Sequence, residues 1–354
     1  RDVEAFFTNQ FEAVRDRLDM PDMDAERAQL VGAFLSEEYA FESAALFNPS
    51  VVLHPDQSGL DTGAVRLIFS LRGIGEGHVS SVTFRIGIWN PGGDLTIERP
   101  AGHGVAPRIE STTEDVVRFS WAETTDASEP VLFPVTPSQQ QGIEDLRLTR
   151  FTEEDDSIAY YATYTAFSGS EARSEMLRAV TFDCFELRPL NGLYALNKGM
   201  ALFPRRVGGH YMMLGRADNE SIWLLRSDEL YRWDEGQRIV RPRFDWEFVQ
   251  MGNCGAPIEI DEGWLVLTHG VGPVRSYSIG AVLLDKNDPS RVLARTPRPL
   301  LSPSVNERGG YVPNVVYSCG SLVRDGVLLL PYAVADQYTA FASASLADVL
   351  AQMR

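Results

Sequence analysis

The stretch Gly142–Phe151, GIEDLRLTRF, sets an acidic pair, Glu144-Asp145, at the mouth of an apolar strand with Arg147 and Arg150 behind it. A carboxylic acid held at a strand end can protonate a leaving oxygen, and general acid catalysis of that kind is worth about 10²–10⁴-fold. Similar polar residues close apolar runs elsewhere: Arg72 after IFSL, Thr165 after YATY, Arg216 after MMLG, His269 after LVLT and Asp336 after PYAVA. Asn48, Asp145 and Lys198 stand where strands begin. A lone histidine on a strand is more often a satisfied core residue. Five polar ends at repeating places are harder to dismiss, because unpaired polar groups at a core end cost free energy. They point to a polar, ligand-filled cavity. Lys198, Arg216 and His269, with Tyr277 and Arg275 nearby, form a cationic cluster suited to a small anion, since Arg and Lys are standard phosphate partners. Asp145 and Asp336 supply acids beside it. Adjacent strand residues point to opposite faces, so Glu144 is expected to be structural.

The elements that must position these residues are mostly strands. Hairpins are marked by the two-residue turns Gly208-Gly209 and Asp325-Gly326, whose central positions favour positive φ. APIEI-DEG-WLVLTHG and DLRLTRF-TEEDDS-IAYYATYT repeat the design with longer loops. Asp145, Lys198, Cys254 and Pro313 precede these hairpins at intervals of 53, 56 and 59 residues. FNPSVVLHP with VRLIFSLRG makes a further unit beginning near Asn48, enlarged or carrying an insertion because Asp145 follows 97 residues later. A period of about 50 residues in four-strand units is the mark of a β-propeller. A β-sandwich also spaces its strands evenly but seldom repeats hairpins so regularly. The reading is all-β, a five-bladed β-propeller, whose axis would gather the matched residues.

The first forty residues differ. Val3, Phe6, Phe7, Phe11, Val14 and Leu18 recur at helical spacing, and a second helix follows with Asp24 as N-cap and Arg27 at its third position. The chain is therefore divided into an N-terminal helical arm, 1–41, and a catalytic propeller, 42–354. Such an arm invites a homo-oligomer.

A net charge of −17 argues against a nucleic-acid partner, which needs a basic footprint, and against an anionic membrane surface. No apolar run reaches the length of a spanning helix. Cys184, Cys254 and Cys319 are far apart, which fits reduced thiols in a cytoplasmic protein and no metal cluster. GIGEGH, Gly73 to His78, imitates a dinucleotide loop but has His78 where the last glycine belongs and no βαβ context. It reads better as a substrate-side loop, with His78 lining an acceptor site.

Several of these stretches together resemble glycoside hydrolase family 130: GIEDLRLTRF…AYYATYTAFS, NKGMALFPRRVGGHYMMLGRADNE, GWLVLTHGVG…YSIGAVLLDKNDPSRVLART and GYVPNVVYSCGSLVRDGVLLLPYAVAD. The resemblance covers roughly residues 42 to 350. It implies a five-bladed propeller acting as a phosphorylase of β-mannosides or, in some members, as a β-mannosidase. The family's general acid, in a Glu-Asp-Pro-Arg motif, falls on Asp145, with Leu146 in place of the usual Pro. Its mannose-binding positions look similar to Asn48, Arg72 and Asp336. Its phosphate-binding positions look similar to Lys198, Arg216, His269 and Tyr277. In that family the proton is thought to reach the scissile bond through a hydroxyl of the bound mannose.

The chemistry separates the alternatives. An inverting hydrolase needs a second carboxylate to activate water, about 6.5–9.5 Å from the acid. An inverting phosphorylase needs cations to hold phosphate instead, and no cofactor beyond inorganic phosphate as co-substrate. Lys198, Arg216 and His269 therefore favour phosphorolysis. Hydrolysis would draw its base from Glu220 or Glu175. A catalytically silent binding propeller would be expected to lose Asp145 or the cations, and both are present.

Overall fold

The computed structural model describes residues 2–15, 20–21, 23–36, 39–121, 124–181 and 183–354. The chain divides into two compact units, Arg1–Ala40 and Phe41–Arg354. The first contains helices Val3–Arg15 and Ala25–Phe34. Asp24 caps the second, accepting a 2.9 Å bond from the Arg27 amide. Gly32 packs against the Phe7 backbone, where a Cβ would lie 1.9 Å from the carbonyl oxygen. Leu18, expected on the apolar face of the first helix, lies outside the described residues.

The second unit is mostly β and propeller-like. Its strands fall into successive antiparallel groups. The first is Ala45–Leu53, Val65–Ile74, Ser80–Trp89 and Leu95–Ile97. The second is Gly142–Thr152, Ile158–Phe167, Ala172–Thr181 and Cys184–Pro189. The extra chain of the first repeat is used at the outer edge of the second group, where Val117–Ser120 and Arg108–Thr112 extend the sheet beyond Cys184–Pro189. A single parallel bridge, Ser80 to Gly142, joins these two groups into one eleven-stranded sheet.

The third group is Ala201–Leu202, Tyr211–Gly215, Ile222–Ser227 and Glu235–Val240. In the fourth, Gln250–Asn253 and Ile258–Ile260 both pair with Gly263–Val271, followed by Tyr277–Leu284 and Val292–Arg295. In the last, Val316–Tyr317 and Leu322–Arg324 both pair with Val327–Val334, followed by Tyr338–Ser345. Both two-residue turns form as expected, with positive φ at Gly208, Gly209, Asp325 and Gly326.

Neighbouring groups are tied by backbone hydrogen bonds. The Thr152 amide donates to Pro204 O, Met251 to Glu220 O, Tyr277 to Asn314 O and Cys319 to Pro49 O, at 2.8–2.9 Å. The last of these bonds returns the chain to its first group. Core clusters lie between groups. Alternate residues of one strand serve different clusters: Trp264 and Val266 pack toward the third group, Leu265 and Leu267 toward the last. Period-two alternation with both faces covered is why these strands read as continuous apolar runs.

Two inner strands carry the same irregularity. Register slips between Phe47 and Ser50, and again between Glu144 and Arg147, so two residues oppose one across the ladder. The first bulged residues, Asn48 and Asp145, have φ of 49° and 57°. Asn and Asp tolerate this left-handed region best among residues with a Cβ. Pro49 and Leu146 hold matching places in the two bulges.

Candidate active site

Every inner-strand group contributes to one polar pocket of about 340 Å³. Eight of the nine expected site residues line it: Asn48, Arg72, Asp145, Lys198, Arg216, His269, Tyr277 and Asp336. His78 does not. It sits exposed at the tip of its loop, its ring stacked at 6.4 Å on that of Tyr311. Thr165 is buried in the ladder opposite Glu144 and stays out of the pocket.

The bulge decides what faces the cavity. Asp145 Oδ1 accepts a 2.6 Å bond from Asn48 Nδ2 and lies 3.5 Å from Arg72 Nη1. Arg147, 1% exposed, donates from Nη1 to the Asp145 carbonyl at 3.1 Å and from Nη2 to the Tyr317 hydroxyl at 2.6 Å. Burial alone would raise the Asp145 pKa. Arg72 and Arg147, with the Asn48 bond and Lys198, outweigh it and hold the carboxyl below the usual carboxylate range. Asp336 goes the other way. Burial and then the charge of Asp145 push it up to about 6.

Glu144 corrects the expectation drawn from strand alternation. The bulge breaks the alternation, so Glu144 and Asp145 both line the pocket. Glu144 Oε1 accepts from Arg72 Nη2 at 3.0 Å, and Oε2 from Lys198 Nζ at 2.7 Å. Arg72 is also fixed by a 2.7 Å bond from Nε to Ser80 Oγ and lies over the Phe47 ring. Arg150 stands apart from the acid and interacts with Tyr160 instead.

The expected cationic cluster needs a second correction. His269 is 3% exposed, and burial, followed by the charges of Arg216 and Arg147, lowers its pKa to about 3. It is a neutral imidazole at ordinary pH. Its ring stacks on Tyr277 at 5.9 Å and meets Tyr317 edge-on at 5.0 Å, and Nε2 faces Arg216 Nη1 at 3.4 Å. Lys198 is already paired with Glu144. Among the described residues Arg216 and Arg275 make no ion pair, which leaves them as the open cations of the cavity. Asn197, at φ 65°, donates to the Arg216 and Ala217 carbonyls and so places Lys198 beside Arg216.

The sequence reading missed Gln250, Asn253 and Tyr317 as lining residues. Gln250 Nε2 donates to the Tyr277 hydroxyl at 3.4 Å, and Asn253 Nδ2 to the Gly199 carbonyl at 2.7 Å. Arg275, expected near the cationic cluster, does line the pocket, and a loop repeat marks it as well. RGIGEGHVSS and HGVGPVRSYS align Arg72 with His269, His78 with Arg275 and Ser80 with Tyr277. Both loops close with the same bond, Gly75 N to Val79 O and Gly272 N to Ser276 O, and carry two successive positive-φ residues at their tips.

The two candidate bases for hydrolysis lie elsewhere. Glu175 is fully buried among Ser138, Gln139, Tyr164 and Arg173, and Glu220 is exposed outside the lining. No helix is long and apolar enough to cross a membrane among the described residues.

Comparison with known proteins follows the same lines. Residues 116–354 match the Glyco_hydro_130 family model, described as beta-1,4-mannooligosaccharide phosphorylase. A 1,2-beta-oligomannan phosphorylase of Thermoanaerobacter sp. (strain X514) is 34% identical over 225 residues, covering 62% of this chain and 74% of that protein. A beta-1,2-mannobiose phosphorylase of Listeria innocua serovar 6a is 31% identical over 232 residues, covering 63% of this chain and 63% of that protein, somewhat under two thirds of its length. The solved beta-1,2-mannobiose phosphorylase from Listeria innocua, in complex with beta-1,2-mannobiose, shares the fold. Its TM-score is 0.62 at 24% identity, over 90% of this chain and 93% of that one. With the family model spanning most of the chain and the Thermoanaerobacter relative aligned over most of its own length, this chain belongs to glycoside hydrolase family 130.

Proposed function

We propose that this protein is an inverting phosphorylase of β-mannosides, β-1,2-linked manno-oligosaccharides first among them, releasing α-mannose 1-phosphate. The observation that carries it is the charge pattern of the pocket: Asp145 seated among Asn48, Arg72 and Arg147, with Glu144 paired to Arg72 and Lys198, beside the open cation Arg216 and the neutral His269–Tyr277 stack. The relatives named as β-1,2-mannoside phosphorylases support the linkage. The five antiparallel groups, tied pairwise and returning to the first, are read as five blades, with the arm at 1–41 and the catalytic domain at 42–354.

In this reading Asn48, Arg72 and Asp336 hold the mannose, and Arg216, Lys198, His269 and Tyr277 hold phosphate. A phosphate oxygen attacks the anomeric carbon from the face opposite the leaving sugar. The bond from that carbon to the glycosidic oxygen breaks, and the leaving oxygen takes the proton of Asp145, by way of a mannose hydroxyl as the family resemblance implies. One displacement turns β into α. No second carboxylate is required, since phosphate is the nucleophile. Neutral His269 accepts from Arg216 Nη1 through Nε2 and so orients that guanidinium without adding charge, leaving Arg216 as the principal counter-charge.

The test is product analysis with β-1,2-mannobiose, with and without inorganic phosphate. Phosphate-dependent α-mannose 1-phosphate is expected. Mannose released at the same rate without phosphate would make the enzyme a hydrolase.

A further inference from the structure

Glu144 spans the pocket with both oxygens engaged, one on Arg72 and one on Lys198, while only 16% of its side chain is exposed. The same Arg72 guanidinium turns its other nitrogen toward Asp145 at 3.5 Å. A lysine assigned to phosphate therefore already has an anionic partner, and that partner is linked through one arginine to the general acid. We propose that Glu144 is the built-in counter-anion of the phosphate subsite, displaced from Lys198 when phosphate binds, and that this exchange lets the acid cluster take up the proton it needs for catalysis. The inference rests on the phosphorolysis reading above.

The electrostatics favour the exchange. Lys198 has 46% of its side chain exposed and swings on a four-carbon stem, whereas Glu144 is confined by the bulge. A phosphate dianion outcompetes a single carboxylate for a mobile ammonium, especially with Arg216 and Arg275 converging on the same space. Once Lys198 turns away, the remaining ion-pair partner of Glu144 is Arg72, which it shares with Asp145.

The groups facing this pair are Arg72, Arg147 and Lys198 as cations, Asp145 and Asp336 as acids, neutral His269 and the Tyr277 and Tyr317 hydroxyls, with Arg216 and Arg275 beyond. The three nearer cations keep Asp145 ionised, which is the wrong state for a general acid. Two negative charges brought in by phosphate offset them, and a solvent proton enters the coupled Asp145–Asp336 pair. The acid is thus armed only when its nucleophile is seated, which suppresses attack by water.

The experiment is calorimetric titration of inorganic phosphate into wild type and Glu144→Gln at pH 7, in two buffers of different ionisation enthalpy. Steady-state constants and melting temperatures are taken alongside. Wild type is expected to take up a fraction of a proton with phosphate. Glu144→Gln is expected to bind phosphate about tenfold more tightly, near 1.4 kcal/mol, with reduced proton uptake. Its KM for phosphate should fall more than its KM for mannobiose, and the acid limb of kcat should shift. Glu144→Asp, which keeps the charge, should retain the uptake. Phosphate binding by wild type without proton uptake, or unchanged or weaker binding by folded Glu144→Gln, overturns the proposal alone. Absence of phosphate binding by wild type, with phosphate-independent mannose release, overturns the phosphorolysis reading and this inference with it.

Discussion

Asn48 and Asp145 are joined by a 2.6 Å hydrogen bond across 97 residues of chain, and each is the positive-φ residue of the same bulge in successive inner strands. The repeat makes the pair. In each strand the first bulged residue lines the cavity, and neighbouring repeats bring these two residues within bonding distance.

Asp145→Asn keeps the shape of the bulged residue, its tolerance of positive φ and the carbonyl that Arg147 binds. Phosphorolysis should fall about 10²–10⁴-fold, with the circular dichroism spectrum retained. Near-normal turnover in this variant would remove Asp145 as the acid.

Replacing Arg216 with Ala removes a pocket cation that has no carboxylate partner. Charge-assisted hydrogen bonds are worth about 1.5–3 kcal/mol, so KM for phosphate should rise roughly 10–100-fold with a much smaller change for mannobiose. Equal changes in both constants would place Arg216 outside the phosphate subsite.

Buried His269 and half-buried Asp336 should give opposing pH dependences of stability. His269 falls from an ordinary 6.5 to about 3 in the folded state, so its contribution is whole above pH 6.5 and is lost as pH falls. Asp336 rises from 3.8 to about 6, so its contribution is whole below 3.8 and is lost as pH rises through 6. Between pH 4 and 6 the two slopes oppose each other, each approaching about 1.4 kcal/mol per pH unit. Relative to wild type, Asp336→Asn should lose stability more steeply on acidification over this window, and His269→Gln less steeply. Denaturant titrations at several pH values read this directly, and parallel curves for all three proteins would contradict it.

Val274 is a β-branched residue at φ 56° and 88% exposed, where the sister loop has Gly77 at φ 68°. Such a backbone costs about 1–3 kcal/mol, partly offset by the entropy a glycine adds to the unfolded chain. Val274→Gly should stabilise the protein by about 1 kcal/mol, seen as a higher melting temperature. A lower one would mean that the exposed Val side chain makes a contact worth more than the strain.

Glu220→Gln should leave turnover within twofold, because Glu220 lies outside the pocket lining. A large loss would reopen the search for a hydrolytic base.

The amino-acid sequence by itself determined the strands, the tight hairpin turns and the interval between repeats, because these follow from local φ preference and period-two burial. It also marked eight residues that line the pocket, since repetition sends matched strand ends to one place. What it could not determine was anything set by a departure from regularity. Alternation assigned Glu144 to the far face, and only the bulge, formed where the sheet meets the cavity, turns it inward beside Asp145. Residue type assigned His269 a positive charge, and only burial beside Arg216 and Arg147 makes it neutral. The loop reading set His78 beside an acceptor, and only the fold shows it exposed at the loop tip, stacked on Tyr311 and outside the pocket lining. Local preference is written residue by residue. Desolvation, register and charge pairing belong to groups that meet only once the chain has folded.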